Sequence, residues 1–180
     1  MAAVGGVNVT RMEIERKFLV RAKLWNPARP GVEVRQGYLS SVKDRAVRVR
    51  TAGQQASLAV KGVNHGLSRL EFEYRIPFHD AIVMLNQLCG HPLVEKTRYH
   101  ERVNGQDWEV DVFHGLNEGL VLAEVELVSE SDPVELPRWA GEEVSTDPRY
   151  FNSNLARNPY RNWGARVMSP GSTSVGSERA

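Results

Sequence analysis

The stretch Glu13-Ile14-Glu15-Arg16-Lys17, near the start of the chain, decides how the rest of the sequence is interpreted. If it is a β-strand, Glu13, Glu15 and Lys17 point to one face, while Ile14 and Arg16 point to the other. Two carboxylates two residues apart on a strand are suited to bind Mg²⁺ or Mn²⁺ through hard oxygen ligands. A lysine further along the same face suits an anion held by that metal. Taken alone, however, the stretch is more typical of a strand with a solvated, charged face.

Repetition of this pattern is what favours a functional interpretation. Charged side chains recur at every second position in five further segments, which are Arg48–Arg50, Glu71–Arg75, Lys96–Arg98, Glu109–Asp111 and Glu124–Glu126. Ser57, Ala59 and Lys61 share a face in the same way, opposite Leu58 and Val60. The polar face of an antiparallel sheet normally meets water, but here that face is almost entirely ionic. The pattern predicts a closed barrel with apolar residues outward, under helices and loops, and charged residues lining a tunnel. Because an unpaired buried ion costs on the order of several kcal/mol, we expect the acids to hold metal and the bases to hold a polyanion.

Turn residues divide the chain into a mainly β domain with eight predicted strands. The strands are expected at 11–20, 33–41, 45–51, 55–62, 68–77, 93–103, 106–114 and 120–129, with an outer helix at 79–88. Asn104-Gly105 predicts a tight hairpin turn. Residues 132–163 are predicted to be helical or irregular. Short helices are expected to begin at Asp132-Pro133 and near Asp147-Pro148, and Trp139 is expected to anchor the first to the barrel.

Composition limits the classes of function that remain. The chain has 180 residues and a formal net charge of +1, which argues against a bulk nucleic-acid or membrane surface. A single cysteine excludes an internal disulfide and a cysteine-based zinc cluster. No apolar run reaches the roughly 18 residues of a membrane span, and no secretion signal is recognisable. A cytoplasmic location is therefore expected.

The charged segments also carry a family resemblance. Glu13-x-Glu15-x-Lys17 resembles the signature of the CYTH superfamily, the triphosphate tunnel metalloenzymes. The other segments follow in the order that such proteins show, which is Arg35–Leu39, Val47–Arg50, Glu95–Tyr99, Glu109–Phe113 and Glu124–Leu127. The chain is most similar to the small bacterial inorganic tripolyphosphatases. The expected organisation is a flexible N-terminus at 1–10, the tunnel domain at 11–163 and a disordered tail at 164–180.

The resemblance implies a metal-dependent triphosphatase with two ions, Mg²⁺ or Mn²⁺. Glu13, Glu15 and Glu126 are implied as ligands of a first metal that grips the phosphates. Asp111 and Glu124 are then candidate ligands of a second metal that activates the attacking water.

Basic residues on the same faces are candidates for binding the phosphate oxygens. These are Lys17, Arg48, Arg50, Lys61 and Arg98. The resemblance implies that Lys96 is catalytic and positions or activates the water, although an ordinary phosphate contact is the alternative. Residues that could either bind metal or orient these groups are Glu71, Glu73, Arg75 and Glu109.

Several functions remain compatible with the residues alone. The expected reaction is hydrolysis of inorganic tripolyphosphate to pyrophosphate and phosphate. The alternatives are adenylate cyclase activity, thiamine triphosphatase activity and non-enzymatic binding of polyphosphate or nucleotide. Retention of all five candidate acidic ligands favours catalysis over binding alone. The expected partner is a small-molecule triphosphate, with no nucleic acid and no membrane, and the protein is expected to be a monomer or a homodimer.

Overall fold

The computed structural model describes residues 12–42 and 44–164, so the predicted flexible N-terminus and nearly all of the predicted tail lie outside the described residues. Nine strands are present in this part of the chain. They are β1 (Met12–Val20), β2 (Val32–Val42), β3 (Arg45–Ala52), β4 (Gln55–Lys61), β5 (Ser68–Arg75), β6 (Val94–Val103), β7 (Gln106–Phe113), β8 (Val121–Glu126) and β9 (Ala140–Glu143). The eight predicted strands are confirmed, and no end is shifted by more than three residues.

Eight of the strands form a closed antiparallel barrel. The strand order is β5-β4-β3-β2-β6-β7-β8-β1, and pairing of β1 with β5 through Met12↔Leu70, Glu13↔Arg69 and Ile14↔Ser68 closes the circle. The ninth strand, β9, pairs with β1 outside this circle. Closure removes the unpaired sheet edges that would otherwise invite aggregation, and it creates an enclosed interior.

Hairpin turns and register set the face of each side chain. The turn between β6 and β7 has positive φ at both Asn104 (49°) and Gly105 (81°), as the predicted tight hairpin requires. Across each strand pair, residues in register share a face. Lys17 therefore lies beside Glu124, and Arg98 lies beside Asp111. The charged positions of separate strands consequently converge on the barrel interior.

The apolar residues that alternate with these charges form cores on the outside of the barrel. One core contains Phe18, Trp108, Val110 and Val125, and Trp139 packs edge-on against Trp108 with ring centroids 5.4 Å apart. A second core lies beneath helix α1 (Phe78–Gln87), whose buried residues are Ala81 and Leu85. The expected outward orientation of the apolar side chains is confirmed at these positions.

One end of the barrel interior is apolar rather than ionic. In the strand register, Leu122 lies opposite Asp111 and Phe113 lies opposite Lys96. An aliphatic and an aromatic side chain therefore share the inner face with charged groups. They pack with Val94, Leu120 and with three residues of the C-terminal segment, namely Val144, Tyr150 and Leu155. The interior is thus ionic along part of its length and is closed at this end by a hydrophobic cluster.

The predicted helix at Asp132-Pro133 is wrong. The Asp132 carboxylate accepts hydrogen bonds from the Val128 and Ser129 amides, which makes a turn, and the following chain leads into β9. A capping residue followed by proline is a local signal. Here the Gln106 side chain instead holds the segment against β7, donating to the Pro133 carbonyl and accepting from the Glu135 amide. Near Asp147-Pro148 the start signal is correct, because the Asp147 carboxylate accepts from the Arg149 amide at the head of a 3-10 turn. Helix α2 (Asn152–Arg157) follows. No helix in the described residues is long and apolar enough to span a membrane.

Truncating Leu85 should destabilise the fold, because this side chain is fully buried between α1 and the barrel. Leu85→Ala is expected to lower the free energy of unfolding by about 2–5 kcal/mol. Leu88→Ala is the matched control, since Leu88 ends the same helix but is 63% exposed. Denaturant titration followed by circular dichroism measures both, and equal losses for the two variants would contradict the assigned packing of α1.

Candidate active site

A cavity of about 560 Å³ occupies the ionic part of the barrel interior. Among the described residues its lining contains eight acidic and six basic side chains, contributed by most strands of the barrel. The acids are Glu13, Glu15, Glu71, Glu73, Asp107, Glu109, Glu124 and Glu126, and the bases are Lys17, Arg48, Arg50, Lys61, Arg69 and Arg98. His100 also lines it. The ionic faces predicted from alternation therefore converge on one enclosed space.

One group of ion pairs lies where β3, β4 and β5 approach β1. Lys61 Nζ lies 2.7 Å from Glu71 Oε2 and 3.1 Å from Glu13 Oε1. Burial and the neighbouring guanidinium of Arg48 lower the pKa of Lys61. Burial alone would raise the pKa of Glu13, but Lys61 and Arg69 outweigh it and hold this pKa well below its usual range. Lys61 and Arg69 thus keep the Glu13 carboxylate charged inside the barrel.

Two arginines of β3 project into the same region. Arg48 Nη2 lies 3.1 Å from Glu73 Oε2, and Arg50 Nη2 lies 2.7 Å from Glu73 Oε1. Arg48 Nε is buried and has no hydrogen-bond partner among the residues described. A buried guanidinium donor without an acceptor is costly. An anion entering the cavity would supply that acceptor.

A second group of ion pairs lies where β1, β6, β7 and β8 adjoin. Lys17 Nζ lies 2.7 Å from Glu124 Oε1, and burial of this lysine is outweighed by Glu124 and Glu15, which raise its pKa. Arg98 donates from Nη2 to Glu124 at 3.1 Å and also contacts Glu109. These contacts hold Lys17 and Arg98 as permanent cations facing the cavity.

Asp111 and Lys96 lie at the end of the ionic region that adjoins the apolar cluster. Arg98 donates to Asp111 from both Nε and Nη2 at 2.7 Å, and Lys96 Nζ donates to Asp111 Oδ2. Asp111 is 0% exposed and Lys96 is 2% exposed. Burial and Arg98 lower the pKa of Lys96 to about 8 despite the neighbouring carboxylate. Burial would raise the pKa of Asp111, but Arg98 and Lys96 lower it.

Most of the predicted site residues line the cavity, but three do not. Lys96 and Asp111 lie behind the lining, and Arg75 is exposed outside it. Glu109 lines the cavity and contacts Arg98, which fits the predicted orienting role. Within the described residues, no three carboxylate, histidine or cysteine side chains converge as a metal site would require. The two-ion ligand assignment therefore stays a prediction.

The charge of the lining nevertheless fits divalent cations. The described lining has more carboxylates than basic groups, so a polyanion would enter a cavity of like net charge unless cations accompanied it. Glu126 has no ion pair in the described part of the chain, and burial followed by the carboxylates of Glu13 and Glu109 raises its pKa. Glu15 on β1 lies opposite Glu126 on β8 in the strand register, so the two carboxylates share the inner face. Carboxylate oxygens arranged in this way are the ligands that Mg²⁺ and Mn²⁺ prefer.

Several lining residues were missed by the sequence interpretation. Arg69 donates to Glu13 at 2.5 Å, and extending the alternation from Glu71 by two residues would have found it. Tyr38 lies within the quoted Arg35–Leu39 segment and also lines the cavity. Phe151, Asn152 and Ser153 complete the lining from the C-terminal segment, for which the charge pattern carries no signal.

Two basic residues of the C-terminal segment, Arg149 and Arg157, lie outside the cavity lining. Arg149 pairs with Asp147, and Arg157 donates to the hydroxyl oxygen of Ser41 at 2.7 Å. Both line a separate, smaller surface pocket. Both arginines therefore pack at the surface of the protein.

Comparison with known proteins identifies similar chains. The family profile of the CYTH domain matches residues 11–160. An inorganic triphosphatase of Acetivibrio thermocellus is 49% identical over 151 residues, covering 84% of this chain and 97% of that protein. An inorganic triphosphatase of Nitrosomonas europaea is 40% identical over 148 residues, covering 80% of this chain and 96% of the relative. A crystal structure of an inorganic triphosphatase superposes with a TM-score of 0.58 at 37% identity, covering 80% of this chain and 93% of that one.

Removing the charge of Asp111 should destabilise the protein even in the absence of metal and substrate. Asp111→Asn leaves Lys96 and Arg98 without their shared carboxylate, and breaking a buried pair costs about 3–5 kcal/mol. Asp107→Asn is the control on the same strand, because the Asp107 side chain is 79% exposed and pairs only with the exposed Arg102 among the described residues. Urea unfolding in EDTA measures both. Equal stability of Asp111→Asn and wild type would show that Asp111 does not neutralise these two cations.

Proposed function

Since the chain belongs to the CYTH domain family, we propose that it hydrolyses a triphosphate, with inorganic tripolyphosphate as the preferred substrate. The observation that carries this proposal is the cavity in the barrel interior that six basic and eight acidic side chains line. The two relatives named inorganic triphosphatases support the same activity. The products would be pyrophosphate and phosphate.

Binding of the polyanion is assigned to the basic groups that already face the cavity. Arg48 and Arg50 offer planar guanidinium groups suited to grip phosphate oxygens through two parallel hydrogen bonds. Lys17 and Lys61 supply point charges from β1 and β4. Arg98 approaches from the opposite group of ion pairs and is held by Asp111 and Glu124. When a compact polyphosphate binds between these groups, the basic side chains exchange their contacts to carboxylates for contacts to phosphate oxygens.

The carboxylates facing the cavity are assigned to divalent cations. Glu13, Glu15 and Glu126 would hold a first ion and Glu124, with Asp111 behind it, a second. When bound, such ions neutralise phosphate charge and favour an activated water. The ion pairs of these acids with Lys61, Lys17 and Arg98 would have to rearrange for this, so the cations and the substrate enter together in this proposal.

Lys96 is the residue that we assign to the hydrolytic step. Its Nζ donates to Asp111 and does not line the cavity. Lys96 would therefore act by fixing the position of the Asp111 carboxylate, which in turn orients Arg98. This differs from direct contact with the attacking water, the role that the family resemblance implies. The structure thus favours a positioning role for Lys96.

Activity should require a divalent cation. Phosphate release from tripolyphosphate is expected to stop in excess EDTA and to return when Mg²⁺ or Mn²⁺ is added in excess, because the acidic lining cannot accept a polyanion without cations. The same assay with ATP and with thiamine triphosphate, together with detection of cyclic AMP, separates the alternative activities. Full turnover of tripolyphosphate in metal-free buffer would rule out the proposed cation requirement.

Two basic residues should separate binding from chemistry. Arg50→Ala is expected to raise KM for tripolyphosphate by about ten-fold with a smaller change in kcat, because one charge-assisted contact to the substrate is lost. Arg75→Ala is the control, since Arg75 is exposed and lies outside the cavity lining. Steady-state kinetics of both variants is the measurement.

Lys96→Met should instead lower kcat with a smaller change in KM, because Lys96 does not face the substrate. Its thermal midpoint is measured alongside, so that a loss of folded protein is not mistaken for a loss of rate. A change confined to KM would mean that Lys96 is another phosphate ligand.

A further inference from the structure

Arg69 is a cation of the cavity lining to which the proposed mechanism gives no role. It lies on β5, two residues before Glu71, so the two side chains share the inner face of the barrel. In register it lies opposite Glu13 on β1, in the middle of the three residue pairs that close the barrel. The Arg69 side chain is 22% exposed and lines the cavity.

The guanidinium of Arg69 contacts two of the carboxylates that we assign to the first divalent cation. Arg69 Nε donates to Glu13 Oε2 at 2.5 Å, and Arg69 Nη2 lies 3.7 Å from Glu15 Oε1. Within residues 12–42 and 44–164, it is the one basic side chain that forms ion pairs with both glutamates. Burial would lower the pKa of Arg69, but Glu13 and Glu15 outweigh it and raise this pKa. Arg69 is therefore the shared counterion of both carboxylates.

A divalent cation and this guanidinium compete for the same oxygen atoms. Carboxylate oxygens are the ligands that Mg²⁺ and Mn²⁺ prefer, and the pairs with Arg69 engage oxygens of both Glu13 and Glu15. A cation that takes these oxygens displaces Arg69 and leaves its charge unpaired in a largely enclosed space, which costs free energy. An anion in the cavity removes this cost, because its oxygens accept hydrogen bonds from the displaced guanidinium.

We propose that Arg69 is a built-in counterion that occupies Glu13 and Glu15 until a divalent cation and a polyanion enter the cavity together. The cation takes the two carboxylates and the polyanion takes the guanidinium, so binding of the cation alone is penalised. The inference rests on the proposed triphosphatase function and adds an energetic coupling between its two ligands. A polyphosphate that already carries its metal ion is then the form of substrate that the cavity favours.

A permanent structural pair is the alternative role of Arg69. The contact between β1 and β5 consists of three residue pairs in register, so an ion pair across it also supports closure of the barrel. In that role the guanidinium stays on Glu13 and orients it toward the metal, and removing Arg69 weakens metal binding. The counterion role predicts the opposite change, because removing a competitor strengthens metal binding.

Binding of Mn²⁺ in the absence of substrate tests the proposal. Arg69→Met keeps an unbranched side chain and removes the charge. This variant should bind Mn²⁺ at least about ten-fold more tightly than wild type, because the metal no longer displaces a guanidinium. Arg50→Met removes the same charge from the same cavity, but Arg50 pairs with Glu73. Its affinity for Mn²⁺ should change by less than about three-fold, the effect of a more distant charge. Electron paramagnetic resonance of free Mn²⁺ measures all three proteins.

Two further measurements separate the coupling from a general loss of charge or of folded protein. Arg69→Met should raise KM for tripolyphosphate by about ten-fold, because the polyanion loses one charge-assisted contact. Its thermal midpoint in EDTA should fall below that of wild type, because Glu13 loses a cationic partner. Excess Mn²⁺ should then raise the midpoint of the variant by more than that of wild type.

A charge-conserving variant tests the geometry of the pair. Arg69→Lys keeps the charge but lacks the planar guanidinium that contacts both carboxylates. Its affinity for Mn²⁺ should lie between those of wild type and Arg69→Met. An affinity equal to that of Arg69→Met would show that the charge alone does not compete with the metal, which would overturn the counterion role.

The remaining outcomes separate this inference from the proposed function. The counterion role would be overturned if Arg69→Met bound Mn²⁺ no more tightly than wild type or Arg50→Met. Tighter Mn²⁺ binding with an unchanged KM would overturn the coupling to the polyanion. Failure of wild type and Arg69→Met alike to bind Mn²⁺ would also overturn the inference. Because the metal titration uses no substrate, a wild type that binds Mn²⁺ but does not hydrolyse tripolyphosphate would overturn the proposed function alone.

Discussion

Neutralisation of charge inside a closed barrel is the constraint on which the rest of this structure depends. Asp111 is fully buried and accepts hydrogen bonds from both Lys96 and Arg98. Without that carboxylate the two cations would lie unpaired beside the apolar cluster that closes one end of the interior, at a cost that few domains could tolerate. The paired charges in turn fix Arg98 toward the cavity. The same need to neutralise buried charge therefore links three features, which are the closure of the barrel, its hydrophobic end and the orientation of the basic lining.

The same constraint explains why the cavity suits a small, highly charged ligand. Ion pairs within the lining keep the groups ionised before a ligand arrives, since Glu124 holds Lys17 and Glu73 holds Arg50. A polyphosphate with divalent cations brings both signs of charge and can replace these internal pairs group by group. A neutral or singly charged ligand could not do so without leaving buried charges unpaired. The proposed specificity for triphosphate follows from charge balance more than from shape.

The face of each strand residue could be predicted from the sequence, but its depth in the barrel could not. Alternation correctly grouped Glu13, Glu15 and Lys17, because a period of two assigns side chains to faces. It placed Asp111 with the other acids, yet Asp111 lies deeper, since depth depends on register between strands that are distant in sequence. β9 was missed because its four residues, Ala140–Glu143, are too few to show an alternation of apolar and polar side chains. Tyr38 carries no formal charge, so an argument built on ionic alternation passed over it.

The most direct test of this account is a crystal structure with Mn²⁺ and tripolyphosphate, in which anomalous scattering locates the metal. The account predicts manganese peaks inside the cavity against the carboxylates of Glu13, Glu15 or Glu126, with phosphate oxygens in contact with Arg48, Arg50 and Arg98. Manganese found only on the outer surface, or a polyphosphate bound at the surface pocket beside Arg149 and Arg157, would contradict it. The same maps would show whether the ion pairs of Lys17 and Lys61 give way to the ligand, which the charge-exchange argument requires.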